Sequence, residues 1–284
     1  MKFFITGGTG FIGRHLIKEL SYRGHYLICI SRNINKTKSI ENKRIKWHEG
    51  EINSQWEEEL KSCDALIHLA AHGASHCSND WEKCFNINVS KSLDLFLMAA
   101  KSGVNRIINI GSGFEYGQAG NRYNYIPNNA PLEPKFAYGA SKAAFSSLSW
   151  GIGVSYEIEM CILRPFYVYG PGENKNRFWP QLIEAGKKGE DFKMTQGNQI
   201  RDFQYISDAV KEIIFWCIEG QLKKGMPKIV NMGSGNVLTL KQFAEKEWKR
   251  IGAKGKLLFS ELDYRKSEMM RFVPYLEHER EKIN

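Results

Sequence analysis

The 284-residue sequence has no apolar run long enough to cross a bilayer, and no small-residue cleavage site follows its opening KFFITGG stretch. The first absence excludes a membrane-spanning helix, and the second predicts a chain without a secretory leader. Cysteine is sparse and unpatterned. The six residues at 29, 63, 77, 84, 161 and 217 form no spaced framework, so a reduced, cytoplasmic protein is expected. No internal repeat, low-complexity tract or nucleic-acid motif is present. Yet 40 basic against 31 acidic side chains leave a formal charge of +9. The basic residues are dispersed, with small clusters at 35–46 and 249–256. That scatter favours a solvated surface plus a few phosphate contacts over a nucleic-acid face.

What is present is alternation. Short apolar runs at 2–6, 26–31, 65–71 and 106–112 read as buried strands. Between or after them lie helical patterns at 11–24, 90–104 and 138–152, and a further strand at 159–170. Strand followed by helix, repeated, predicts an α/β fold with a doubly wound, Rossmann-like parallel sheet. Past residue 170 the pattern loosens into helices at 178–189, 207–220 and 239–252 and a strand at 228–234. We therefore expect a nucleotide-binding domain over 1–165 and a smaller C-terminal α/β substrate domain over 166–284, with some interleaving. The polar terminal stretch, 275–284, reads as frayed.

The first strand runs into GGTGFIG, with glycines at Gly7, Gly10 and Gly13. A strand-to-helix turn aims backbone N–H groups of a helix N-terminus at one point, which favours phosphate. Gly7 suits a tight turn, Gly10 close approach of a pyrophosphate, and Gly13 close contact of helix and strand. The second strand ends in Ser31-Arg32 with no carboxylate. An acid there would accept from the ribose 2′-hydroxyl of NAD, whereas Arg32 and Ser31 suit a 2′-phosphate. NADP(H) is the expected cofactor, with NAD as the alternative.

YGASK places Tyr138 and Lys142 four residues apart on one helical face. A tyrosine alone is a poor base near neutrality, and a cation one turn away favours its phenolate. Ser112 closes the strand NIGS at a carboxyl end, where active sites of doubly wound sheets gather.

In these residues the chain resembles the extended short-chain dehydrogenase/reductases, of the sugar-nucleotide epimerase/dehydratase/reductase type. The matching segments are TGGTGFIG, IHLAA, NV, IGSGFEYG, YGASK, LRPFYVYGPG and IRDFQYISDAV, in family order over roughly the first 235 residues. The resemblance implies Tyr138 as general acid/base, Lys142 as its partner and Ser112 as a hydrogen-bond donor to the reacting oxygen. It implies that Phe11, Ile12, Glu51, Ile52, Leu69, Ala70, Ala71 and Asn88 join the glycines around the cofactor. Gly113, Phe114, Tyr167, Arg201 and Arg265 would face a nucleotide diphosphate sugar, the two arginines on its phosphates.

Three departures narrow the implied reaction. Gly113-Phe114 replaces the acid pair that serves the family's 4,6-dehydratases, which excludes dehydration. Glu115 stands where members carry a small apolar residue, either touching substrate or lying on the surface. Tyr167 replaces an asparagine that contacts the sugar or phosphate. A 4-ketoreductase making sugars for surface polysaccharide, or a 4-epimerase, remains; Arg32 favours the reductase. A non-catalytic cofactor sensor is disfavoured because both Tyr138 and Lys142 are present. His68, His72, His76 and Cys77 have helical spacing, but Gly73 breaks a helix, so no metal is expected. Apolar faces at 90–104 and 138–152 suggest a homodimer.

Overall fold

The computed structural model describes residues 1–37, 40, 42–74, 79–266 and 268–277. Strand β1 (Lys2–Thr6) runs into helix α1 (Phe11–Tyr22), followed by β2 (Tyr26–Ser31), β3 (Ile45–Glu49), α2 (Glu57–Lys61) and β4 (Ala65–His68). Next come α3 (Trp81–Phe85), a π turn over Asn86–Lys91, α4 (Ser92–Lys101), β5 (Arg106–Ile110), α5 (Ala137–Ser155) and β6 (Glu159–Pro165). The second half adds β7 (Tyr167–Tyr169), α6 (Phe178–Lys188), β8 (Phe192–Lys193), β9 (Ile200–Tyr205), α7 (Ile206–Ile218) and β10 (Lys228–Met232). It closes with β11 (Val237–Thr239), α8 (Leu240–Arg250), β12 (Leu257–Leu258) and β13 (Arg271–Phe272).

Seven strands form one parallel sheet in the order β10-β6-β5-β4-β1-β2-β3. The fold is the expected Rossmann-like α/β one. Its strand order reverses between β1 and β4, which opens a crevice at their carboxyl ends. Alternation along β1 explains the layers: Phe3 and Ile5 point into a core with Leu16, Ile17 and Leu20 of α1 and Ile213 and Trp216 of α7. Phe4 points to the other face, against Leu95 and Phe96 of α4 and Phe145 of α5. A strand covered on both faces has no polar side, which is why KFFIT reads as continuous apolar sequence. Leu16, Ile17 and Leu20 recur at helical spacing on α1, and Gly24 breaks the run after it with φ of +89°.

The later segments return to the sheet before building their own unit, since α7 packs on the α1 face and β10 extends the edge beside β6. The second unit has a four-stranded sheet around β9, paired with β7, β11 and β13. Its core is aromatic: Phe203 and Phe243 stack with centroids 3.8 Å apart, beside Trp179 and Tyr169. Thr239 and Gln242 form a capping box that starts α8. The terminal stretch differs from expectation at its start. Tyr275 N donates to Ile126 O at 2.8 Å, and Glu277 accepts from Asn128 Nδ2. Burial of Phe272 and Val273 carries these polar residues onto the body of the protein; positions 278–284 lie outside the described residues. Among the described residues no helix is long and apolar enough to cross a membrane.

Candidate active site

Thr6 ends β1 and Gly7 turns the chain with φ of +71°. A Cβ on Gly7 would stand 2.6 Å from Ala70 N, and one on Gly13 only 2.2 Å from Gly7 O. The turn is therefore pressed against both the β4 loop and its own helix, and side chains are excluded by backbone. Helix α1 begins at Phe11 with no acid in its first turn, so no side chain of that turn offsets the positive end of its dipole. This cradle fits the diphosphate of a dinucleotide.

Below the cradle, a chain of polar bonds fixes the wall opposite. Thr6 Oγ1 lies 2.8 Å from His68 Nδ1 and accepts from Ala70 N at 3.2 Å. His68 Nε2 lies 3.0 Å from Ser92 Oγ, which donates to Ile87 O at 2.9 Å. Because Ser92 spends its proton on Ile87, His68 must carry its own on Nε2 and accept from Thr6 at Nδ1. Burial pushes this imidazole down to about 3, with the Lys142 charge adding to the effect, so it is neutral. The bond to Ile87, five residues back, depends on the π turn. The same turn brings Asn88 inward, where it accepts from His72 N at 2.7 Å and donates to His72 O at 3.0 Å and Ser141 Oγ at 2.9 Å. Asn88 thus holds the loop after β4 rather than lining the groove. Both His68 nitrogens are engaged; His76 and Cys77 lie outside the described residues.

Three chambers, of about 440, 280 and 280 Å³, join into one groove along the carboxyl ends of the sheet. Gly7, Gly10, Leu69 and Ala71 belong to the first two, Phe114 and Tyr138 to the last two. The first chamber gathers Ser31, Arg32, Glu51, Ile52 and Ala70. Arg32 is exposed at its rim, and Lys36, which sequence reasoning missed, adds a second cation. Ser31 Oγ is committed to the turn, donating to Asn33 O at 2.9 Å. Glu51 pairs with Lys91 at 3.2 Å.

The middle chamber brings together Phe11, Ile12, Gly13, Ser112, Tyr138 and Lys142. Tyr138 and Lys142 lie in the first turns of α5, both nearly fully buried. Lys142 Nζ donates to Ile110 O at the end of β5. Burial brings its ammonium down to about 8, opposed by the Glu115 charge. Ser112 Oγ accepts from Phe114 N at 3.2 Å, which leaves its own proton free for a ligand. Phe114 lies edge-on to Tyr138 with centroids 6.5 Å apart and stacks on Phe272 at 5.9 Å.

The outer chamber runs from Tyr138 past Lys135, Lys266, Glu268 and Met269. They come from two segments more than 100 positions apart, and no local pattern announces them. Arg201 does not line it; its Nη2 pairs with Glu268 Oε1 at 2.8 Å. Arg265 is exposed, and its carbonyl accepts from Glu268 N. Gly113 is buried against Phe166. Tyr167 packs on Phe203 at 4.9 Å, with the Arg177 guanidinium 5.5 Å from its ring centroid.

Glu115 is neither a substrate contact nor a surface residue. It is wholly buried, and its carboxylate accepts from Ser112 N at 2.8 Å and Arg164 Nε at 2.7 Å. Arg164 Nη1 continues to Tyr116 Oη at 2.8 Å, which donates to Asn231 Oδ1 at 2.7 Å. The local signal was Ser-x-x-Glu, a capping box that fixes Ser112 at the start of a short 3₁₀ turn.

Comparison with known proteins agrees with this geometry. The model of the family described as "NAD dependent epimerase/dehydratase family" matches residues 3–233. A CDP-abequose synthase of Salmonella typhimurium is 29% identical over 243 residues, covering 84% of this chain and 77% of that protein. A UDP-glucose 4-epimerase of Neisseria meningitidis is 26% identical over 267 residues, covering 82% and 78%. Among solved structures, MoeE5 in complex with UDP-glucose and NAD superposes with a TM-score of 0.84 at 23% identity, over 100% of this chain and 92% of that one. A UDP-N-acetylglucosamine 4-epimerase from Methanobrevibacter ruminantium superposes with a TM-score of 0.87 at 22% identity, over 99% and 91%.

Proposed function

Because the chain belongs to the NAD dependent epimerase/dehydratase family, we propose that its groove reduces a nucleotide-linked 4-keto-6-deoxy sugar with NADPH, in the making of surface polysaccharide. Sugar-nucleotide chemistry is common to the names of its curated relatives, a CDP-abequose synthase and UDP-glucose 4-epimerases. The observation that carries the cofactor choice is the rim of the first chamber, where Arg32 and Lys36 stand and β2 ends without a carboxylate. Two cations there suit a 2′-phosphate better than a ribose 2′-hydroxyl, which an acid at the end of β2 would bind.

Reduced nicotinamide, when bound, supplies the hydride. Tyr138 passes its phenolic proton to the ketone oxygen, so the carbonyl becomes a secondary alcohol. Lys142, one turn on, offsets the charge left on Tyr138. Ser112 donates a hydrogen bond to the same oxygen and keeps its proton. Phe114 places an apolar ring where elimination of water needs an acid. Exposed Trp150 and Val154 on α5 support a homodimer through that helix.

The second reading is a 4-epimerase holding NAD, favoured by the NAD in solved relatives such as MoeE5. Purified protein given a nucleotide-linked 4-keto-6-deoxy sugar should oxidise NADPH faster than NADH, in proportion to product. Interconversion of two nucleotide hexoses with no net NADPH loss would establish the epimerase instead.

A further inference from the structure

The loop between β7 and α6 brings an acid into the middle chamber that none of the roles above uses. Glu173 lines that chamber with Asn174 and Arg177, across from Phe11 and Ile12 and beside Phe166 and Val168. Its side chain is 2% exposed, and no side chain donates a hydrogen bond to either carboxylate oxygen. Arg177 Nε is 2.7 Å from Oε1 as an ion pair but off the hydrogen-bonding direction. Burial raises the carboxyl to about 7, opposed by the Arg177 charge and by the backbone N–H of Gly170.

A buried carboxyl with so few hydrogen bonds costs stability. Such a group persists where a partner arrives later. The walls around it offer little: Phe11, Ile12, Phe166 and Val168 are apolar. The loop is held in place independently, by His15 Nε2 on Pro171 O at 2.8 Å. The carboxyl is thus held beside Arg177 at the wall of the chamber.

Resting on the reductase reading of this groove, we propose that Glu173 is a specificity residue that accepts a hydrogen bond from a neutral donor on the bound ligand, a sugar hydroxyl or the carboxamide N–H of the nicotinamide. Arg177 then restrains the carboxyl rather than satisfying it.

The test compares Glu173→Leu and Glu173→Gln with the unaltered protein. NADPH affinity is read by fluorescence titration without sugar, KM and kcat by turnover with the nucleotide-linked ketosugar, and folding by thermal melting. Glu173→Leu should lose about tenfold or more in binding, with the melting temperature equal or higher, and Glu173→Gln, which keeps an acceptor, should recover most of it. A loss in NADPH affinity identifies the carboxamide as donor; a loss confined to KM identifies a sugar hydroxyl. Unchanged binding in Glu173→Leu overturns the proposal, as does a loss matched by a lower melting temperature that Glu173→Gln does not rescue. Failure of the unaltered protein to bind any nicotinamide cofactor would instead overturn the reading of the groove.

Discussion

The two ends of the groove are built differently. The cofactor end is backbone: Gly7 and Gly13 exclude side chains, and Thr6, His68, Ala70 and Ser92 lock strand to loop. The end proposed for the sugar is side chains, with Lys135, Lys266 and Glu268 drawn from segments more than 100 residues apart. A backbone cradle serves any dinucleotide, and so its residues recur at fixed spacing. A wall of side chains is free to vary with the sugar. The difference locates specificity in the half of the site that the sequence describes least.

Substitution at the junction of the two ends should have the largest effect. Tyr138 lines both the middle and the outer chambers. Tyr138→Phe removes the proposed proton donor while keeping the ring against Phe114. Loss of general acid catalysis is worth about 10²–10⁴-fold, so kcat should fall by that order while NADPH titration is unchanged. Full turnover in the variant would remove the mechanism.

Next in size is Glu115→Ala, which strikes the support between the ends. It leaves Arg164 buried without its carboxylate and Ser112 N without an acceptor. Breaking a buried pair from one side costs about 3–5 kcal/mol. Denaturant unfolding should show a loss of that order, and an unaltered midpoint would show that Arg164 finds another partner.

These two residues also mark what was legible. The sheet, the glycine turn, Tyr138 and Lys142 follow from local spacing, because a strand-turn-helix and one helical face are local objects. Glu115 carried a local signal, Ser-x-x-Glu, but its partner Arg164 lies 49 positions on and the pair only forms through the sheet. Lys36 stood four residues past Arg32, yet only the 3₁₀ turn at Ile34–Lys36 places it on the same rim. Glu268 and Lys266 needed the β13–β9 pairing to reach Tyr138's chamber. Arg201 was read as a phosphate clamp from its motif, and the motif says nothing of Glu268.

A smaller effect tests the rim of the cofactor end. Arg32→Asp supplies the acceptor that β2 lacks and opposes a 2′-phosphate. The ratio of kcat/KM for NADPH over NADH should fall by about tenfold or more, on the order of one charge-assisted hydrogen bond. An unchanged ratio would place cofactor choice elsewhere, with Lys36 the first residue to try.

The smallest effect is a slope, and it isolates the polar lock beneath the cradle. The His68 pKa is held at about 3 against an ordinary 6.5 because burial disfavours the imidazolium. Between those values the unfolded chain binds a proton that the folded chain refuses. Stability must therefore fall as pH drops through 6.5, and keep falling toward 3. His68→Gln keeps a donor and an acceptor but does not titrate. Melting temperatures measured from pH 7 down to pH 4 should fall less steeply in His68→Gln than in the unaltered protein, even if the variant starts lower. Parallel slopes would mean that acid sensitivity resides in other groups, and that the Thr6–His68–Ser92 chain accepts the extra proton by letting the β4 loop move.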